Sequence, residues 1–270
     1  VLTFSMYRHG RRILDKTDWD IKINLKTFEI ILIIIIGQHI LANFINALSL
    51  PVSACDDLSY HLAVPKIYIQ NHGFKYIPYI IHSNWPFLME MLYTLGLLLT
   101  GQAVVPQTFH FLTSVLTVFT IYLFGRKYFS VRVGLLASAI FYTAFVVRKN
   151  AGIAYIDIGL TFFELLAVYA FVKWFYSEQK QWLILSSVGC GLSLATKLTG
   201  LFLLLLLSAG VFYKIIIVNK NSLIKVLKSL LLFCTVSIAI VSPWFLKSYL
   251  HTANPVWPFA YKIFGGANWS

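Results

Sequence analysis

"TFEIILIIIIGQHILANFINALS" (residues 27–49) contains no Lys or Arg and is long enough to cross a bilayer as one helix. It exceeds the length of a signal-peptide apolar region and carries no small-residue cleavage site, so it reads as a retained span. Close behind it comes "SACDDLSYHLAVPK" (53–66), with two adjacent acids, a tyrosine, a histidine and a lysine. A polar cluster beside the first span has a meaning that depends on the side of the membrane it occupies.

The rest of the 270-residue chain is equally apolar: 59% hydrophobic, 12% charged, mean hydropathy +0.76. Soluble domains carry about 25% charged residues, so the composition indicates a polytopic membrane protein. The formal charge of +12 fits cytoplasmic loops facing anionic lipid. A nucleic-acid binder is excluded as a class, because the basic excess sits in short loops without a recognition module. Cys55, Cys190 and Cys234 are too few and scattered for a disulfide framework or a metal motif. The chain begins at Val1 and stops in a loop at Ser270, so a C-terminally truncated piece of a longer protein is expected.

Apolar runs predict spans near 27–49, 104–125, 133–147, 155–175, 182–196, 199–217 and 227–246. The stretch "FLMEMLYTLGLLLTG" (87–101) is ambiguous, and charge arbitrates. With seven spans and a cytoplasmic basic tail (1–26), 15 of the 22 Lys and Arg residues lie inside; with eight the split is even. Seven spans are therefore expected, with 87–101 lying on the outer interface. Residues 50–103 form one long extracytoplasmic loop of the transmembrane module 27–270. Trp174 and Trp182 fall at the inner boundary and Trp85 and Trp244 at the outer, as in an aromatic belt.

This topology sorts the acids. Asp56, Asp57, Glu90 and Asp157 lie outside at membrane boundaries, whereas Glu29 reads as ordinary charge at the start of the first helix. Asp57 and His61 are four apart, as are Asp56 and Tyr60, so each pair shares a helical face. A partly desolvated carboxylate there can serve as a general base. Two carboxylates and an imidazole can also hold a divalent cation, Mg2+ or Mn2+, although no spacing is diagnostic. Asp157 equally suits the first turn of a helix by complementing its dipole. Glu164, within a span, must face the bundle interior or a cavity. Lys66, Arg148, Lys149 and Lys197 lie on the same outer side, where they either snorkel to headgroups or meet a phosphate.

The order of these stretches resembles the GT-C glycosyltransferases, and more narrowly the family of protein O-mannosyltransferases and aminoarabinose transferases. "DDLSYHLAVPKIYIQNHGF" is similar to that family's loop motif, and "WPFLMEMLYTLGLLLTG" to its interfacial helix. "YLFGRKYFSVRVGLLASAIF", "RKNAGIAYIDIGLTFFELLAVYAFVKW", "GLSLATKLTGLFLLLL" and "NPVWPFAYKIFGG" resemble further family stretches. The second acid is Asp where Glu is frequent, and "YI" replaces the prolines that precede the fourth-span acid.

The resemblance implies an all-α transmembrane bundle and an inverting transfer of sugar from a polyprenyl-phosphate donor to a glycan, lipid or protein acceptor. It assigns Asp56 as the catalytic general base, with Asp57 as second acid and Asp157 as a further catalytic-site acid. Tyr60, His61 and His82 become candidate sugar contacts, and Lys66, Arg148, Lys149 and Lys197 candidate partners of the phosphate. Asp56 and Asp57 are the candidate metal ligands. The implied location is the plasma membrane with the site facing outward. A transporter or flippase is the main rival and would place ionisable groups at mid-membrane. A non-catalytic scaffold is the second, and it tolerates neutralised acids.

Overall fold

A backbone in hydrocarbon can satisfy its N–H and C=O groups only within its own segment, so the apolar runs fold as helices. The computed structural model describes residues 25–49, 52 and 54–267. The basic tail expected as cytoplasmic lies outside them, apart from Leu25 and Lys26. In chain order the helices are α1 (Thr27–Ala47), α2 (Ala63–Gln70), α3 (Leu88–Thr100), α4 (Val104–Tyr128) and α5 (Val131–Thr143). Then follow α6 (Phe145–Asn150), α7 (Asp157–Ser177), α8 (Lys180–Thr196), α9 (Gly200–Tyr213), α10 (Leu223–Thr252) and α11 (Tyr261–Phe264). A π-helical turn (Asp57–His61) and a 3-10 turn (Ile81–Asn84) interrupt the long first connection, and no strand occurs among the described residues.

Among the described residues five helices are long and apolar enough to cross a bilayer: α1, α4, α7, α9 with its extension to Val218, and α10. Helices α5 and α8, also expected as spans, have 13 and 17 residues. The expected run 133–147 breaks at Ala144, whose ψ is 131°. There the Ala144 N–H bonds three residues back to Phe141, and the Thr143 hydroxyl caps the Ala139 carbonyl at 2.7 Å. Helix α10 instead runs past its expected end and through Pro243. Proline cannot donate to Ala239, and the Ser242 hydroxyl bonds that carbonyl at 2.9 Å in its place.

Small residues let these helices approach closely. A Cβ on Gly125 of α4 would lie 2.5 Å from the Gly134 Cα of α5. The hydroxyl of Ser186 in α8 donates to the Ala167 carbonyl of α7 at 2.9 Å, and Ser237 of α10 donates to Ser187 of α8 at 2.9 Å. Such contacts replace the hydrophobic drive that lipid does not supply. Glu29, expected as solvated charge, is buried and receives Arg132 Nε at 2.9 Å, fastening α1 to α5. Trp174 and Trp244, expected in an interfacial belt, are buried, because their rings fill the packed core around α7, α8 and α10. Outward-facing Ile34, Phe202, Leu205 and Leu231 leave an exposed apolar surface, as lipid requires.

Helix α3 lies across one end of this bundle. Its first turn packs Met89 against Gly159 of α7, and its Gly96 meets Pro106 in the first turn of α4. Both contacts belong to the same bundle end, and thirteen residues reach only about 20 Å. The expected separate helix over 87–101 is therefore present, and it is shorter than the five helices that can cross a bilayer. Adding a methyl in Gly125→Ala forces backbone against backbone, and the expected cost is about 1–3 kcal/mol, read as a lowered unfolding temperature in detergent.

Candidate active site

The acid pair opens the π-helical turn, whose wider pitch is closed by the Leu62 N–H bonding to the Asp57 carbonyl at 2.9 Å. Inserted π turns of this kind often re-aim side chains at functional sites. Here the turn separates the two acids. Asp56 stays half-exposed, while Asp57 is fully buried and accepts the Ala154 N–H at 3.0 Å through Oδ2. Burial pushes the Asp57 carboxyl up to about 6, against the opposing pull of the Ala154 N–H and His61.

His61 is also buried, and its Nδ1 bonds Glu90 Oε1 of α3 at 2.8 Å. Tyr60 stacks on His82 with ring centres 4.1 Å apart and 10° between planes, and His82 meets Trp85 edge-on at 4.5 Å. Burial lowers the His82 basicity, partly offset by the Asp56 charge. The turn bearing His82 is held from below by Lys247 of α10, whose buried Nζ donates to the Ser83 and Trp85 carbonyls at 2.7 and 3.1 Å.

The segment before α7 is suspended from three other elements. Asp57 holds the Ala154 N–H, the Tyr93 hydroxyl donates to the Tyr155 carbonyl, and His110 Nδ1 bonds the Ile153 carbonyl at 2.7 Å. Asp157 therefore starts α7 from a fixed position, where it pairs with Lys197 at 2.8 Å. That pair is half-exposed, with Lys197 in the turn between α8 and α9.

Of the residues expected at the site, Asp56, Asp57, Tyr60, His61, His82, Asp157 and Lys197 gather at this end of the bundle. Lys66 is exposed on α2, and Arg148 and Lys149 are exposed on α6. None of those three forms a salt bridge among the described residues. Glu90, Tyr93, His110 and Tyr155 were not expected in it. Glu90 was the discoverable one, since a lone acid inside the apolar run "FLMEMLYTL" must find a partner when buried. Glu164 sits deeper, with the Ser193 hydroxyl at 3.4 Å.

Among the described residues no three His, Cys, Asp or Glu side chains form a metal-binding group. Asp57 does keep one buried oxygen, Oδ1, without a hydrogen-bond partner.

Residues 84–254 match the model of the family described as dolichyl-phosphate-mannose-protein mannosyltransferase. No curated protein and no solved structure matches the chain.

The Asp57 environment sets a pH dependence. The unfolded chain releases this proton near 3.8 and the folded one near 6, so folding takes up a proton between them. The stability this group contributes is complete below about pH 3.8 and is lost as pH rises through about 6. Asp57→Asn keeps an oxygen for Ala154 but has no titration, so its unfolding temperature should fall less than wild type's between pH 4 and pH 7.

Proposed function

Because this chain belongs to the dolichyl-phosphate-mannose-protein mannosyltransferase family of membrane glycosyltransferases, we propose that it moves a sugar from a polyprenyl-phosphate carrier to an acceptor hydroxyl, with inversion. The observation that carries the residue assignment is the unequal burial of the acid pair. Asp56 is the half-exposed carboxylate, while Asp57 is enclosed and bonded to Ala154.

In this reading the acceptor O–H gives its proton to the Asp56 carboxylate as the acceptor oxygen attacks the anomeric carbon. The bond between that carbon and the phosphate oxygen breaks, and polyprenyl phosphate departs with the electron pair. Lys197 is the cation best placed to meet the developing charge, since its half-exposed ammonium spends one N–H on Asp157 and has others to offer. Asp157 steers that ammonium. A bound Mg2+ or Mn2+ ion would be held by Asp56 and Asp57 and would add Lewis-acid neutralisation of the phosphate. Tyr60 and His82 present a stacked aromatic wall beside Asp56, suited to the apolar face of a sugar ring. The site faces the outer side of the plasma membrane on this reading, as the basic residues at the opposite bundle end favour.

The experiment is transfer from a labelled polyprenyl-phosphate-mannose donor by membranes containing the protein at matched expression. Asp56→Asn should reduce turnover by roughly 10²–10⁴-fold without lowering the unfolding temperature. Undiminished turnover in that variant refutes the assignment of the base. Lys197→Ala should cost roughly 10²–10³-fold in turnover, as loss of a charge-stabilising donor does.

A further inference from the structure

Lys247 and His251 stand four residues apart near the end of α10, and so share one face of that helix. The buried Lys247 ammonium donates to the Ser83 carbonyl at 2.7 Å and to the Trp85 carbonyl at 3.1 Å. His251 Nδ1 bonds the Asn84 side-chain oxygen at 3.3 Å. Three consecutive residues at the exit of the 3-10 turn are thus fastened to one helix, across 162 to 167 positions of chain. The Lys247 ammonium also lies 4.8 Å from the Phe87 ring centre and 5.1 Å from that of Trp244. A charge enclosed by two carbonyls and two aromatic faces is an anchor, and its hydrogen bonds are of the strong, charge-assisted kind.

The residue carried by this anchored turn is His82, directly before Ser83. Its ring stacks on Tyr60 at 4.1 Å and meets Trp85 edge-on at 4.5 Å, and all three rings are half-buried. Tyr60 belongs to the π-helical turn, four residues on from Asp56. The wall beside the acid is therefore assembled from two separate turns, and α10 fixes one of them.

On the functional reading above, we infer that Lys247, assisted by His251, is a positioning residue for the donor sugar: it sets His82 against Tyr60, and the wall so formed receives the sugar ring. Lys247 itself touches no substrate. With two carbonyls drawn to one ammonium, the turn has one backbone course and His82 one place to stand. Without that ammonium the Ser83 and Trp85 carbonyls would turn toward other donors, and the wall would have to be ordered each time a sugar binds. The carrier phosphate is assigned to Lys197, so the effect falls on the sugar and not on the lipid carrier.

The test uses membranes containing the full chain, with polyprenyl-phosphate-mannose as donor and sugar-free polyprenyl phosphate as a competing probe. Lys247→Met keeps an apolar stem against Phe87 and Trp244 and removes every N–H donor. The expected result is about a tenfold rise in donor KM, the size of one hydrogen bond's net contribution. The inhibition constant of the sugar-free carrier should stay unchanged. His82→Ala should raise the donor KM as well, and adding Lys247→Met to it should raise it no further, because both act through one contact. Equal weakening of donor and sugar-free carrier marks a general loosening of the fold and overturns the inference. So does additivity of the two substitutions. If Lys247→Met lowers the yield of folded protein, His251→Ala decides: a rise of about threefold in donor KM supports the inference, and no rise overturns it. An unaffected donor KM in Lys247→Met, beside an inactive Asp56→Asn, removes this inference and leaves the transferase reading intact. No transfer by wild type overturns that reading, and this inference with it.

Discussion

A carboxylate removed from water must find its hydrogen bonds in the protein, and Asp57 finds one in the Ala154 N–H at 3.0 Å. The bond joins residues 97 positions apart, tying the first long connection to the segment that opens α7. The rest of the site depends on it. It fixes the π-helical turn that turns Asp56 outward, and it fixes the approach to Asp157, hence the position of Lys197. Burial makes the same carboxyl hard to ionise, so the anchor carries a stability cost that rises with pH. The neighbouring acid has the opposite assignment: it remains accessible and free to exchange a proton with a substrate.

Around this anchor the protein uses polar groups to hold backbone where no regular structure does. His110 and Tyr93 take the carbonyls of Ile153 and Tyr155, and Lys247 takes those of Ser83 and Trp85. All three side chains belong to helices, so irregular segments are hung from rigid elements. A loop buried at the end of a membrane bundle needs this support, since its unpaired carbonyls would otherwise be desolvated at a cost. A firmly supported site suits a transferase, in which proton acceptor, sugar and leaving phosphate must be aligned together.

Much of this was legible in residue order. The apolar run 27–49 marks a helix because hydrocarbon permits little else, and the alternation of basic connections separates the two bundle ends. Glu29 shows where reading stops: as a sequence feature it is one acid among lysines, and only packing brings it to Arg132 of α5. Trp174 and Trp244 mislead in the same manner, because a boundary position along a span does not say which way the ring points. The break at Ala144 is invisible in an apolar run that continues unchanged through it.

The sequence by itself determined that the chain is helical and membrane-embedded, and that acids cluster after the first span. These follow from local hydropathy and charge, which act on each segment separately. The resemblance to the transferase family was carried in the same local stretches. Only the tertiary structure decided that Asp57 is enclosed while Asp56 is open, and that Glu90 pairs with His61 across 29 residues. Those outcomes turn on desolvation, and how far a group is desolvated is set by neighbours distant in the chain.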